Sequence, residues 1–396
     1  MAVQRARIYQ HMRAMASFLH QQVVALSTMR MSDALQEQIL ALLDHALKHP
    51  EPWPQIRLLM LSLAAKIEQR GLEVRWIRPL GDAVELCKKL ADAEAQSALS
   101  LILGLTYQSN SQWDPAEIYY QQSAEAARAT GNVQAEALAL SRLAYLHRVN
   151  ENIPQAESLA HSALRLLPEG DCSREFAYFV LGTTAADRQD TDKAERYFRR
   201  SLVLCQLRSD EFSIAKRKRD LGVLLTDATK YREARVCLEE ALAFFERLDF
   251  ALECAQVKES LGVIYRRLQQ PKTALDYYAD ALRTFLQIQS KHQLAQIYNN
   301  QGYCYRLIDR WSEAEAAFIA SANLWEEVDM PVSQINALDN LGEVYLHLWE
   351  KTLAINTFRQ AASNLPKIRN HPRYCRLREM VYEHLEEAER LDETGE

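Results

Sequence analysis

Two asparagines, Asn300 and Asn340, stand forty residues apart, and two arginines, Arg266 and Arg306, repeat the same interval. An asparagine amide offers one acceptor and two donors. It can therefore engage both the N–H and the C=O of an extended peptide without reading its sequence. Arginine pairs with carboxylates. Asn299 and Asn336 add amides, and Arg148 and Arg219 add positive charge. These residue types suit the holding of an extended segment that bears acidic residues. A solvated helix face would carry the same asparagines, and a basic stripe could simply balance Asp220, Asp227 and Glu259. Catalytic signatures are missing: there is no G-x-x-x-x-G-K-S/T, no G-x-G-x-x-G, no H-E-x-x-H and no G-x-S-x-G. None of the ten histidines pairs with another histidine or a cysteine at metal-ligand spacing on one helix, apart from His45 and His49. Those two read as a solvated pair near a helix C-terminus. No metal or cofactor is expected.

The interval of forty belongs to the whole chain. A small residue recurs at Gly104, Ala144, Gly182, Gly222, Gly262, Gly302 and Gly342, and an alanine follows each one twelve residues later, from Ala116 to Ala354. Self-similarity at this period marks a stack of supersecondary units. Each unit reads as two helices. Apolar residues at spacings of three and four surround the small residue, and a second stripe follows, as in Ala274, Tyr278, Ala281, Leu282 and Phe285. No alternating strand pattern of useful length occurs, so the chain reads as all-α. The small residues are expected to let paired helices approach closely. Pro168 and Pro366 are placed at the ends of second helices, and Pro154 and Pro271 in the turns within repeats. The one step of 38 residues falls near Pro168-Glu169-Gly170-Asp171.

Leu103-Gly104-Leu105-Thr106-Tyr107, Leu261-Gly262-Val263-Ile264-Tyr265 and Leu341-Gly342-Glu343-Val344-Tyr345 share one pattern. With the alanine twelve on and an aromatic sixteen on (Tyr120, Phe198, Tyr278, Phe318, Phe358), it resembles the tetratricopeptide repeat. The forty-residue unit is similar to the extended form found in kinesin light chains, spindle adaptors and Rap-type bacterial regulators. The resemblance implies a right-handed superhelical solenoid of about seven repeats over residues 92–366. It also implies that first helices line a concave surface, with partner-reading side chains two, three and six before the small residue and one, four and five after it. Asn300 and Asn340 are then similar to the asparagine ladder of those families. The ladder is short, because Ile102, Arg142, Val180, Asp220 and Ser260 occupy the earlier equivalents.

Net charge is −6, which does not point to nucleic acid. Residues 1–90 carry twelve Lys/Arg against eight Asp/Glu, whereas the remainder carries 35 against 45 and ends in an acidic run from Glu383 to Glu396. No apolar stretch is long enough for a membrane span, and the N-terminus shows no secretory pattern. Seven scattered cysteines without a C-x-x-C pair read as thiols in a reducing cytoplasm. Residues 1–91 are expected to form four helices, near 3–30, 33–48, 54–71 and 78–91, as a helical bundle or degenerate repeats. Ser32 with Asp33 would cap the second, and Gly71 and Pro79-Leu80-Gly81-Asp82 would break the chain. Residues 367–396 are expected to be a capping helix and tail. The leading expectation is a non-enzymatic cytoplasmic scaffold that holds an extended segment of a protein or peptide partner, with no nucleic acid or membrane. A Rap-like, peptide-responsive regulator acting through the N-terminal block is the alternative. A helix-turn-helix or an unmarked enzyme site in that block remain as further possibilities.

Overall fold

The computed structural model describes residues 2–26, 31–67, 74–110, 112–369, 371 and 373–393. They form nineteen α-helices, three short 3-10 turns and no strand. The chain divides into two compact units, residues 1–217 and 218–396.

The first unit opens with α1 (Ala2–Ala25), α2 (Asp33–Ala46), α3 (Trp53–Ile67) and α4 (Ile77–Leu90). Ser32 does cap α2, its hydroxyl accepting the Leu35 N–H at 3.3 Å. Pro79 and Gly81 sit inside α4 and do not break the chain. In the first turn of a helix no i−4 partner is needed, so proline is tolerated there. Gly71 and residues 27–30 lie outside the described residues. Helix pairs follow: α5 (Ala93–Ser109) with α6 (Trp113–Thr130), α7 (Val133–Val149) with α8 (Ile153–Leu166), and α9 (Glu175–Asp187) with α10 (Thr191–Leu207). The core of the four N-terminal helices runs on into α5 through Ala95, Leu99, Ile102 and Leu103. Asp92 fastens this junction, accepting from Trp53 Nε1 and Arg57 Nε at 2.9 Å each. Burial acts to raise its carboxyl, yet the bonds from Trp53, the Ala95 N–H and Arg57 hold it below the usual range.

Helix α11 (Glu211–Asp227) runs across the division. Then come α12 (Tyr231–Arg247), α13 (Ala251–Arg267), α14 (Pro271–Gln287), α15 (Lys291–Arg306), α16 (Trp311–Glu327), α17 (Pro331–His347), α18 (Lys351–Asn364) and α19 (Tyr374–Glu393). Pro154 and Pro271 open helices, since proline has no N–H to leave unpaired at a first turn. Pro168 follows the end of α8, whereas Pro366 lies in a 3-10 turn, Leu365–Ile368, that extends α18. In the last repeat α19 covers α17 and α18 with Leu377, Val381 and Ala388.

The repeat glycines accommodate a ring. A Cβ at Gly104 would lie 2.6 Å from Tyr120, one at Gly182 2.8 Å from Phe198, and one at Gly302 2.6 Å from Phe318. Gly222 meets Leu238 at 2.7 Å, and Gly262 and Gly342 face Tyr278 and Phe358 in the same way. The side chain sixteen residues on therefore sits against the glycine face, and those five aromatic side chains are all buried. Volumes compensate: where the small residue is Ala144, the residue sixteen on is Ala160, also buried.

The turns repeat every twenty residues. From Gln189 to Trp349 a non-glycine residue adopts positive φ at each helix end: 189, 209, 229 and so on to 349. Each turn returns an N–H to the last helical carbonyls, as Gln269 does to Arg266 (3.0 Å) and Gln270 to Tyr265 (2.9 Å).

Two tests follow from this packing. Gly302→Ala is expected to cost ~1–3 kcal/mol by overpacking. In a double-mutant cycle Phe318→Ala should relieve part of that cost, giving a coupling of the order of 0.5–3 kcal/mol in chemical denaturation. Additive effects would show that the ring and the glycine do not touch in solution. Thr229 is an exposed β-branched residue at φ 59°, a conformation that costs L side chains roughly 1–2 kcal/mol. Thr229→Gly should raise the thermal midpoint, and a lowered midpoint would contradict this turn geometry.

Candidate functional site

The second unit carries a groove of about 680 Å³ on the first helices of its repeats. Helices α11, α13, α15 and α17 each present one face, because residues three, four and seven apart share a side of a helix. Six residues before the repeat glycine stand Gln256, Gln296 and Asn336, three amides at intervals of forty. Three before stand Arg219, Glu259 and Asn299, and two before stand Ser260 and Asn300. Arg266 and Arg267 follow Gly262 by four and five, and Thr226 and Asp227 do the same after Gly222. His292 and Trp325 also line the groove, their rings perpendicular at 4.9 Å. Burial holds the His292 imidazole below its usual range.

Most of the charge is already matched. Arg219 donates to Gln256 Oε1 at 2.5 Å and to Asp220 at 3.0 and 3.2 Å. Arg267 donates to Asp227 at 2.9 Å and to the Thr226 carbonyl at 3.2 Å. Arg266 differs. Its guanidinium lies 5.2 Å from the Tyr303 ring centre, and among the described residues its buried Nε has no hydrogen-bond partner. Beneath it is the Tyr278 phenol, raised well above its usual range by burial and close to both Arg266 and Glu259. Glu259 is 8 % exposed and its Oε1 is likewise without a partner. Burial pushes its carboxyl up to about 7. The Tyr278 hydroxyl and Asn299 Oδ1 are also without a partner among the described residues.

Of the residues marked in the sequence, the groove brings together Asn299, Asn300, Asn336, Arg219 and Arg266. Asn340 and Arg306 are elsewhere in the unit, bonded to each other. Arg306 Nη1 donates to Glu343 at 2.6 Å and to Asn340 Oδ1 at 3.3 Å. The Asn340 amide donates to the Tyr303 hydroxyl at 2.8 Å and the Asn336 carbonyl at 2.6 Å, and the side chain is buried. Asp339 is buried too and meets His384 of α19 at 2.9 Å; burial raises its carboxyl despite that bond. Arg148 belongs to the first unit and grips Asp187 with two bonds of 2.7 and 3.0 Å. The sequence reading overlooked Gln256, Gln296, His292 and Trp325, and took Glu259 only as a charge balancing the basic stripe. The two glutamines carried a usable signal, their forty-residue interval with Asn336. Nothing in the sequence distinguishes Glu259 from a solvated glutamate.

Residues 214–287 and 293–367 match the tetratricopeptide repeat family model. These two stretches carry tetratricopeptide repeats. No curated protein matches it. Among solved structures it is similar to a signal-transduction ATPase with a tetratricopeptide repeat sensor from Pyrococcus horikoshii, at 14 % identity and a TM-score of 0.58, over 89 % of this chain and 55 % of that one. A Rap protein solved with competence and sporulation factor is 14 % identical, with a TM-score of 0.54 over 86 % of this chain and 99 % of that one. Aspartyl phosphate phosphatase F from Bacillus subtilis is 12 % identical, with a TM-score of 0.54 over 90 % and 93 %. At these identities the likeness concerns the fold. The repeats are all-α, and no described helix is long and apolar enough to cross a membrane.

The inward cluster makes a stability prediction. Asn340→Ala removes the acceptor of Arg306 and the donor to Tyr303, and is expected to cost ~1–3 kcal/mol. A thermal melt indistinguishable from that of the unsubstituted protein would rule out this role.

Proposed function

We propose that the second unit holds an extended segment of a protein or peptide partner and performs no chemistry of its own. The amide row Gln256, Gln296 and Asn336 along the groove carries this reading. Neighbouring helices pack ~8–10 Å apart, and an extended strand rises ~3.3 Å per residue. One amide per repeat therefore meets about every third residue of the segment, through its backbone. Asn299 and Asn300 add further contacts in the same groove. Arg219 has an internal carboxylate partner, so the acidic residue of the segment belongs at Arg266. The seven cysteines are free thiols, which suits work in a reducing cytoplasm.

Retention of a partner from source-cell lysate tests this reading. Gln256→Ala combined with Gln296→Ala should weaken capture by ~1–3 kcal/mol, the summed cost of two polar contacts, with the melt lowered only by loss of the Arg219–Gln256 hydrogen bond. Equal capture by the variant would remove the amide row from any role in binding. A second reading, a peptide-responsive regulator acting through α1–α4, draws on the Rap-like fold over most of the chain. It differs in expecting the chain to compact when the segment binds, as small-angle scattering would detect.

A further inference from the structure

Beside the Arg266 Nε donor, the groove holds two acceptors that are unmatched among the described residues. Glu259 Oε1 and Asn299 Oδ1 are acceptors, three residues before Gly262 and Gly302 and so in one register on adjacent first helices. An acceptor removed from water and left unmatched is costly, and a carboxylate more so than an amide. A segment that only accepted hydrogen bonds, or brought only carboxylates, would leave both atoms as they are. A donor that also carries positive charge satisfies both. We propose that this groove takes a lysine or arginine side chain of the bound segment, its cationic head seated between Glu259 and Asn299. The proposal rests on the extended-segment reading above and adds the chemistry of one residue of that segment.

The surrounding charges permit it. On α11, Arg219 is paired with Asp220, and Asp227 holds Arg267 of α13. Arg266, also on α13, lies one helical repeat of seven beyond Glu259 and is left to meet a carboxylate. From α14 the Tyr278 phenol stays neutral, and from α15 the His292 imidazole is held low by burial and is neutral at pH 8. A segment with a basic residue and an acidic residue in register would thus match Glu259 and Arg266 together. Burial keeps the proton on Glu259 up to about pH 7, and a cation seated beside it would drive the proton off at lower pH. Binding of a basic segment therefore strengthens as pH rises through about 7. From pH 6 to pH 8 the ionised fraction rises roughly ten-fold, and affinity follows it.

The sign for folding runs the other way. The folded chain binds more protons than the unfolded chain between the ordinary glutamate value and about 7, so this group lowers stability as pH rises through that window. Glu259→Gln removes that penalty, so the variant is expected to fold and to melt no lower than the unsubstituted protein at pH 8.

The test is selection of a random dodecapeptide phage library on the full chain at pH 8, in parallel on wild type, Glu259→Gln and the Gln256→Ala/Gln296→Ala variant. The expected result is a peptide family with lysine or arginine at one fixed position. That preference should vanish on Glu259→Gln while the rest of the pattern persists. A synthetic peptide of this family should bind wild type about ten-fold more tightly at pH 8 than at pH 6, with no such slope for Glu259→Gln. Enriched peptides that depend on the two glutamines but carry no basic position would overturn the cation site and leave the extended-segment reading standing. Peptides whose basic preference survives in Glu259→Gln would overturn the assignment to Glu259. If no family enriches on wild type over the glutamine variant, both readings fall.

Discussion

An aromatic ring seated on a glycine is the contact on which the rest of this structure depends. In five of the repeats a phenyl or phenol ring packs where a Cβ would otherwise stand, and in a sixth a leucine does. Close contact at that point sets how the two helices of a unit lie against each other, because interiors at crystal-like density do not deform smoothly. Repeating the same contact at intervals of forty repeats the same hairpin. The Ala144 and Ala160 pair, small against small, shows that the joint volume is the constrained quantity.

The turns act as the second regular element. A residue at positive φ every twenty positions ends each helix by the same pair of returning hydrogen bonds, so helices of the second unit before the last pair are sixteen or seventeen residues long. Equal helices joined by equal turns bring residues forty apart into register on neighbouring first helices. That is why Gln256, Gln296 and Asn336 form a row, and why Glu259 and Asn299 stand at equivalent places. The groove is thus a by-product of periodic packing, decorated by the few side chains that depart from the repeat.

Charge in the groove is governed by what is already paired. Arginines at Arg219 and Arg267 are neutralised by neighbours on the same or the adjacent first helix, while Arg266 and Glu259 are kept apart along one face of α13. Separated, unmatched and partly desolvated, these two groups give the groove its polarity, far more than the net charge of −6 does. Salt screens exposed pairs over ~8 Å, so the buried members of such a set dominate recognition at physiological ionic strength.

The sequence by itself determined the forty-residue repeat and the helical content, because periodicity of side-chain volume is a local and repeated signal. It also marked five of the residues that line the groove. Side-chain pairing was decided only by tertiary structure. Asn300 and Asn340 occupy the same register, yet one lines the groove and the other is bonded to Arg306 and Tyr303. The difference comes from which neighbours stand one helix away: Tyr303 and Arg306 reach across to Asn340 and take its hydrogen-bonding capacity. Glu259 is the opposite case, a glutamate ordinary in sequence that burial and the lack of a partner set apart from every other carboxylate in the groove. Position in a repeat is written along the chain, whereas whether a polar atom is matched depends on the groups that folding brings from elsewhere.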